Sequence, residues 1–69
     1  MHDLEVFVNG EPVRTQATNL QALLLERGYA LDGAFACAVN NTFVARRVWT
    51  ECGLNATDRV DVIAPITGG

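Results

Sequence analysis

The chain has 69 residues, a net charge of −3 and no lysine, which leaves room for one domain and argues against nucleic-acid binding through a basic face. Apolar residues make up 49% of the chain, so it can form a folded core. Its apolar runs are far shorter than the ~20 residues of a membrane span, and residues 1–5 lack the pattern of a signal peptide. We therefore expect a cytoplasmic protein without membrane contact.

The cysteine and histidine content limits the possible chemistry. Cys37 and Cys52 are too few for a disulfide framework. Cys37 lies in an apolar run and is expected to be a small buried residue. Because His2 is the single histidine and no C-x-x-C pair is present, we predict no metal site.

The first third of the chain predicts a β-hairpin. Leu4, Val6 and Val8 alternate with other residues, as in a strand with one face in a core. Asn9-Gly10 follows, the dipeptide that most strongly favours a tight hairpin turn. Residues 11–15 are the expected return strand, at the sheet edge because Pro12 cannot donate a ladder hydrogen bond.

A helix over residues 19–27 is predicted next. Thr18 and Gln21 have the spacing of a capping box, with Thr18 as the N-cap. Gly28 follows as a stop signal. The helix carries an apolar stripe that we expect to pack in the core, formed by Leu20, Leu23 and Leu24 and extended by Ala22 and Leu25.

The second half alternates short strands and turns. The predicted elements are a strand at 35–39, a turn at Asn40-Asn41, a short strand at 43–44, a helical turn within 46–52, a turn at 55–58 and a last strand at 59–64. The order predicts one α+β domain over residues 1–69. Its single main helix packs on one face of a mixed sheet, with the first and last strands as parallel neighbours in the centre. That architecture is the β-grasp, or ubiquitin-like, fold.

The chain ends in a segment suited to entering another protein. Pro65 ends the last strand and stiffens the exit, and Ile66 can anchor the segment. Thr67, Gly68 and Gly69 leave little bulk, and glycine adopts backbone angles closed to other residues. Fully extended, five residues span roughly 16 Å. We expect the tail, residues 65–69, to be flexible in the free protein and to carry the Gly69 carboxylate into a partner's site.

Strand alternation also predicts a partner-binding surface. Phe7, Ala38 and Ile63 fall on the sheet face away from the helix. We expect them to form one exposed apolar patch, and such patches on small domains often mark binding sites.

The body and tail together resemble the ThiS family, the small sulfur carriers of thiamine biosynthesis, over essentially the whole chain. The matching features are the strand leading into Asn9-Gly10, Leu20-x-x-Leu23-Leu24, Ala38-Val39-Asn40, Val44-x-Arg46-x-x-Trp49, Asp58-x-Val60-x-Val62-Ile63 and Gly68-Gly69. The chain departs from the family pattern at Asn41 and Thr57, where glycine is frequent, and at Ala45, where proline is common.

The resemblance implies a carrier without catalytic residues or a bound cofactor. An activating enzyme would use ATP to adenylate the Gly69 carboxylate. Sulfur from cysteine, delivered through a desulfurase persulfide, would displace AMP and leave a thiocarboxylate. That group would supply sulfur to thiazole synthase.

Two other classes of protein share the glycine-glycine ending. The small subunit of molybdopterin synthase donates the same thiocarboxylate to a pterin, although the short chain and the 46–49 segment favour the thiamine carrier. A ubiquitin-like modifier would instead be conjugated to lysine amines.

Overall fold

The computed structural model describes residues 3–64. A five-stranded mixed sheet has the strand order β2-β1-β5-β3-β4. The elements are β1 (Leu4–Val8), β2 (Glu11–Thr15), α1 (Leu20–Glu26), β3 (Ala36–Val39), β4 (Thr42–Val44), a 3-10 helix (Arg46–Val48) and β5 (Arg59–Ile63). The predicted β-grasp is confirmed: β1 and β5 are parallel neighbours inside the sheet, and β2 lies at an edge. Among residues 3–64, no helix is long and apolar enough to cross a membrane.

The core lies between α1 and one face of the sheet. Alternation in the strands sends every second side chain to this face, and helical spacing brings three leucines of α1 against it. Burying each leucine contributes about 1.5–3 kcal/mol relative to leaving it exposed. Leu25 was expected to extend the stripe, but its side chain is 55% exposed. The fully buried side chains are Trp49, Leu20, Leu23, Leu24, Val6, Val60 and Cys37.

The start of the helix corrects the predicted capping box. Asn19, not Thr18, is the N-cap, and its Oδ1 accepts a hydrogen bond from the backbone N–H of Ala22 at 2.8 Å. The Thr18 carbonyl instead accepts the N–H of Leu54 at 3.0 Å. Asn19 itself has extended backbone angles (φ −139°, ψ 169°) and is bridged to Gly53. It is therefore the non-helical N-cap, and the helix begins at Leu20, one residue later than predicted.

The end of the helix confirms Gly28 as its stop signal. Gly28 has a φ of +88°, and its N–H donates to the Leu25 carbonyl at 3.0 Å while Tyr29 donates to Leu24 at 2.9 Å. This pair of hydrogen bonds is the Schellman motif. The helix ends at Glu26, one residue earlier than predicted.

The predicted bounds of β1 and β2 match the observed ones, whereas each of the three later strands differs from its prediction by one residue at one end. β3 begins at Ala36 rather than residue 35, β4 begins at Thr42 rather than 43, and β5 ends at Ile63 rather than 64. Within the predicted helical turn at 46–52, only Arg46–Val48 forms a 3-10 helix. The predicted turn at Asn40-Asn41 is confirmed, because Val39 and Thr42 are paired across it.

Candidate functional site: the tail root and the outer sheet face

The predicted sulfur-carrying residue Gly69 and the tail residues Pro65, Ile66, Thr67 and Gly68 lie outside the described residues. The structure does describe the point from which this segment leaves. We call Ile63 and Ala64 the tail root; both are exposed. The tail root is therefore at the surface, at the end of the central strand β5.

The tail root is held by neighbours on both sides of β5. Ile63 pairs with Ala36, the first residue of the antiparallel strand β3. On the other side, the backbone N–H of Val62 donates to Oδ1 of Asn9 at 2.8 Å. The position and direction of the chain at Ile63 are thus set by the sheet.

The three predicted partner-binding residues lie on the sheet face opposite α1, which we call the outer face. Their strand neighbours on the other face, among them Val6, Cys37 and Val60, are buried in the core. Phe7 and Ala38 are half-buried, whereas Ile63 is 59% exposed. Strand parity therefore predicts the face of each residue correctly.

The structure does not bring the three residues together in one continuous apolar surface. In the sheet register, Phe7 lies beside Arg59 and Ala38 lies beside Asp61. The central strand β5 thus places two charged side chains between Phe7 and Ala38. The residues Phe7, Gly10, Asn41, Arg59 and Asp61 line an open depression of about 350 Å³.

Sequence reasoning missed the most exposed aromatic side chain of this face. Phe43 on β4 is 68% exposed and is paired with Ala38. The two-residue turn at Asn40-Asn41 was the available signal, because it fixes the β3–β4 register and so places residue 43 opposite residue 38. The apolar part of the outer face beside the tail root is formed by Ala36, Ala38, Phe43 and Ile63, which we call the tail-side patch.

The two thiols are unsuited to nucleophilic chemistry at neutral pH. Burial raises the pKa of the Cys37 thiol, and the nearby Arg46 guanidinium opposes this rise only in part. Burial and the negative charge of Asp58 both raise the pKa of Cys52. Both thiols are therefore protonated near pH 7, whereas a reactive cysteine must be present as the thiolate. Within residues 3–64, no three metal-ligating side chains come together.

Comparison with known proteins agrees with this arrangement. The chain matches the model of the ThiS family over residues 3–69. A crystal structure of a thiamine biosynthesis protein (ThiS) from Geobacter metallireducens superposes with a TM-score of 0.80 at 20% identity, covering 96% of this chain and all of the other.

A solution structure of a thiamine biosynthesis protein from the same organism has a TM-score of 0.74 at 20% identity, covering 96% of this chain and 88% of the other. No curated protein sequence matches the chain. Likeness at this identity shows the fold, whereas the family match extends from β1 to Gly69. The chain therefore belongs to the ThiS family, the small sulfur-carrier proteins of thiamine biosynthesis.

Proposed function

We propose that this protein carries sulfur as a thiocarboxylate on Gly69 and delivers it to thiazole synthase in the cytoplasm. The observation that carries the proposal is the ThiS family match through the glycine-glycine end. The exposed tail root supports it, since a segment that leaves the end of β5 can reach roughly 16 Å from the domain when extended.

The chemistry takes place at the terminal carboxylate. A carboxylate oxygen attacks the α-phosphate of ATP in the activating enzyme, which releases pyrophosphate and forms an acyl adenylate. A persulfide sulfur that originates from cysteine, through a desulfurase, then displaces AMP. Cleavage of the resulting acyl disulfide by a thiol leaves the thiocarboxylate on Gly69.

The protein's own contribution is binding and presentation. It holds no cofactor, and ATP is consumed by the activating partner. The tail-side patch and Phe7 supply apolar contact area. Arg59 and Asp61, which lie between Phe7 and this patch, offer one positive and one negative charge that can orient a partner. Complementary charges at an interface favour the correct docking register more than they add affinity.

Intact-mass analysis tests the proposed reaction. Incubation with ATP, the cognate activating enzyme and a cysteine sulfur source should exchange one oxygen of the protein for one sulfur. Deleting Gly69, or adding one residue after it, should abolish this mass change, and Gly68→Val should slow it by adding bulk in a narrow channel. Full loading of the extended variant would overturn the proposal.

The fate of the activated protein separates this proposal from its alternatives. Transfer of the sulfur to thiazole synthase supports the thiamine carrier. Transfer to a pterin would identify the molybdopterin-synthase small subunit, and accumulation of lysine conjugates would identify a protein modifier.

Binding through the outer face has its own test. Ile63→Asp places a charge in the tail-side patch and should weaken binding to the activating enzyme, while Phe7→Ala should do so to a smaller extent because Phe7 is half-buried. Leu25→Asp is the matched control, since Leu25 is equally apolar and 55% exposed but lies on α1, on the other side of the sheet. Titrations with the activating enzyme should show a lower affinity for Ile63→Asp than for Leu25→Asp. Equal affinities of the two variants would mean that the enzyme docks on another surface.

A further inference from the structure

One arginine fixes the connection that joins α1 to β3. The guanidinium of Arg46 donates hydrogen bonds to three carbonyl oxygens of this connection. They belong to Leu31, to Gly33 at 2.6 Å and to Phe35 at 3.0 Å. The planar, charged fork of arginine can satisfy several acceptors at once, so a single side chain sets the path of residues 31–35.

Aromatic rings hold the same guanidinium in place. Its central carbon lies 4.6 Å from the ring centre of Trp49 and 5.2 Å from that of Phe35. The two rings stack with their centres 5.4 Å apart, and the indole N–H of Trp49 donates to the Val44 carbonyl at 3.0 Å. Trp49 is in the core, so the guanidinium is fixed to the body of the domain by cation–π contacts as well as by hydrogen bonds.

The connection is tightly packed where Arg46 binds it. A Cβ atom at Gly33 would lie 3.0 Å from the Ala30 carbonyl oxygen and 3.1 Å from the Phe35 ring. A side chain at residue 33 would therefore require the Ala30 carbonyl or the Phe35 ring to shift by a few tenths of an ångström. We call residues 31–35, in the shape held by Arg46, the clamped connection.

The clamped connection lies beside the tail root. Phe35 leads directly into Ala36, which pairs with Ile63 at the end of β5. In this antiparallel register, the residue before Ala36 is next to the residue after Ile63. A partner that grips Gly69 lies within roughly 16 Å of extended chain from Ala64, so it comes close to the tail root and to the connection beside it.

We propose that Arg46 is a positioning residue for sulfur loading: it holds the clamped connection in the shape against which the activating enzyme docks while it takes the tail. The inference rests on the proposed function. Arg46 acts on the docking surface rather than on the reacting carboxyl carbon. Its loss therefore raises KM for this protein as a substrate and leaves kcat unchanged.

The test compares two substitutions at Arg46 with two controls. Arg46→Lys keeps the positive charge but cannot donate to all three carbonyls at once. Arg46→Ala removes both the charge and the hydrogen bonds. Arg47→Ala is the matched control, because Arg47 is exposed and takes no part in these hydrogen bonds. Thr15→Val controls for stability: Thr15 is buried, binds Glu26 and the N–H of Ala17, and lies in the edge strand at the opposite end of the sheet.

The expected result is a rise in KM of about tenfold for both Arg46 variants, the factor that corresponds to 1.4 kcal/mol of binding. Arg47→Ala and Thr15→Val should keep the wild-type KM. A wild-type KM in a folded Arg46→Lys protein would overturn the inference, and so would an equal rise in Thr15→Val. Failure of the wild-type protein to load at all would instead overturn the proposed function.

A second measurement needs no partner. The amide of Phe35 is hydrogen-bonded to the Gly33 carbonyl at 3.0 Å, so its hydrogen exchange reports on the clamped connection. Exchange there should be at least about tenfold faster in Arg46→Lys than in Arg47→Ala, since local opening becomes easier when the hydrogen bonds of Arg46 are lost. Equal rates would show that Arg46 does not hold the connection.

Discussion

The two hairpins of the sheet use nearly the same turn, and each turn does more than reverse the chain. β1 and β2 are joined by Asn9-Gly10, and β3 and β4 by Asn40-Asn41. All four residues have positive φ, at 52° and 83° in the first turn and 53° and 68° in the second. Two-residue turns with this handedness match the twist of the flanking strands.

The asparagine that begins each turn also bonds to the central strand β5, which lies between the hairpins. Asn9 Oδ1 accepts the N–H of Val62 at 2.8 Å. Asn40 Oδ1 accepts the N–H of Arg59 at 3.0 Å, and its Nδ2 donates to Asp58 at 3.1 Å. Glycine would suit the positive φ better, but it has no side-chain oxygen to accept the N–H groups of β5 where the neighbouring strands end.

The two turns differ in the number of hydrogen bonds that the side chain of their first asparagine makes. Among residues 3–64, the Asn9 side chain makes one hydrogen bond, near the tail root, whereas the Asn40 side chain joins a small network at the start of β5. Asp58 in this network also accepts the N–H of Asn55 at 2.8 Å. The second turn should therefore contribute more to the free energy of unfolding, and the first more to the geometry of the tail root.

The largest expected effect comes from Asn40→Gly. The variant keeps the left-handed turn but loses the hydrogen bonds to Asp58 and Arg59, and the free energy of unfolding should fall by about 2 kcal/mol. Chemical denaturation measures the change. A loss no larger than that of Asn9→Gly would contradict the proposed difference between the two turns.

A substitution at Thr57 tests whether positive φ costs stability at a residue whose side chain is not an asparagine bound to β5. Thr57 has a φ of 69° in the turn that leads into β5, and a β-branched residue is strained there. Thr57→Gly should raise the free energy of unfolding by about 1 kcal/mol, after the entropic cost of glycine is subtracted. Thermal and chemical melts of this variant should both show the gain, and a loss of stability would refute the strain argument.

Asn9→Gly should lower the free energy of unfolding by about 0.8 kcal/mol, the contribution of one ordinary hydrogen bond. Its local consequence is more informative. Exchange of the Val62 amide should become faster, while the amide of Arg59, bound by Asn40, should not change. Equal acceleration of both amides would mean that the two turns act on β5 as one unit.

The smallest effect is expected at the second turn position, where Gly10 and Asn41 differ. Asn41→Gly relieves a left-handed asparagine and should raise the free energy of unfolding by about 0.5 kcal/mol. Gly10→Asn is the reverse substitution at the equivalent position of the first turn, and it should lower the free energy of unfolding by a similar amount. Changes of the same sign in both variants would contradict the equivalence of the two turns.

Much of the molecule was predictable because it follows from local rules. Alternation placed Phe7, Ala38 and Ile63 on the correct face, and Asn9-Gly10 and Gly28 marked a turn and a helix end. These features depend on backbone angles and side-chain period within a few residues, which adjacent amino acids determine. The glycine-glycine end and the Val44-to-Trp49 motif were sufficient to indicate the family.

Only the tertiary structure decided which side chains become neighbours across the sheet. The order of strands places Arg59 and Asp61 between Phe7 and Ala38, and register places Phe43 beside Ala38. Pairing of Thr18 and Asn19 with Leu54 and Gly53 places the N-cap at Asn19 rather than Thr18. The carbonyls that Arg46 binds lie 11 to 15 residues away in sequence. Such contacts depend on the burial of the whole core, because residues distant in the chain meet only when the sheet and helix have packed together.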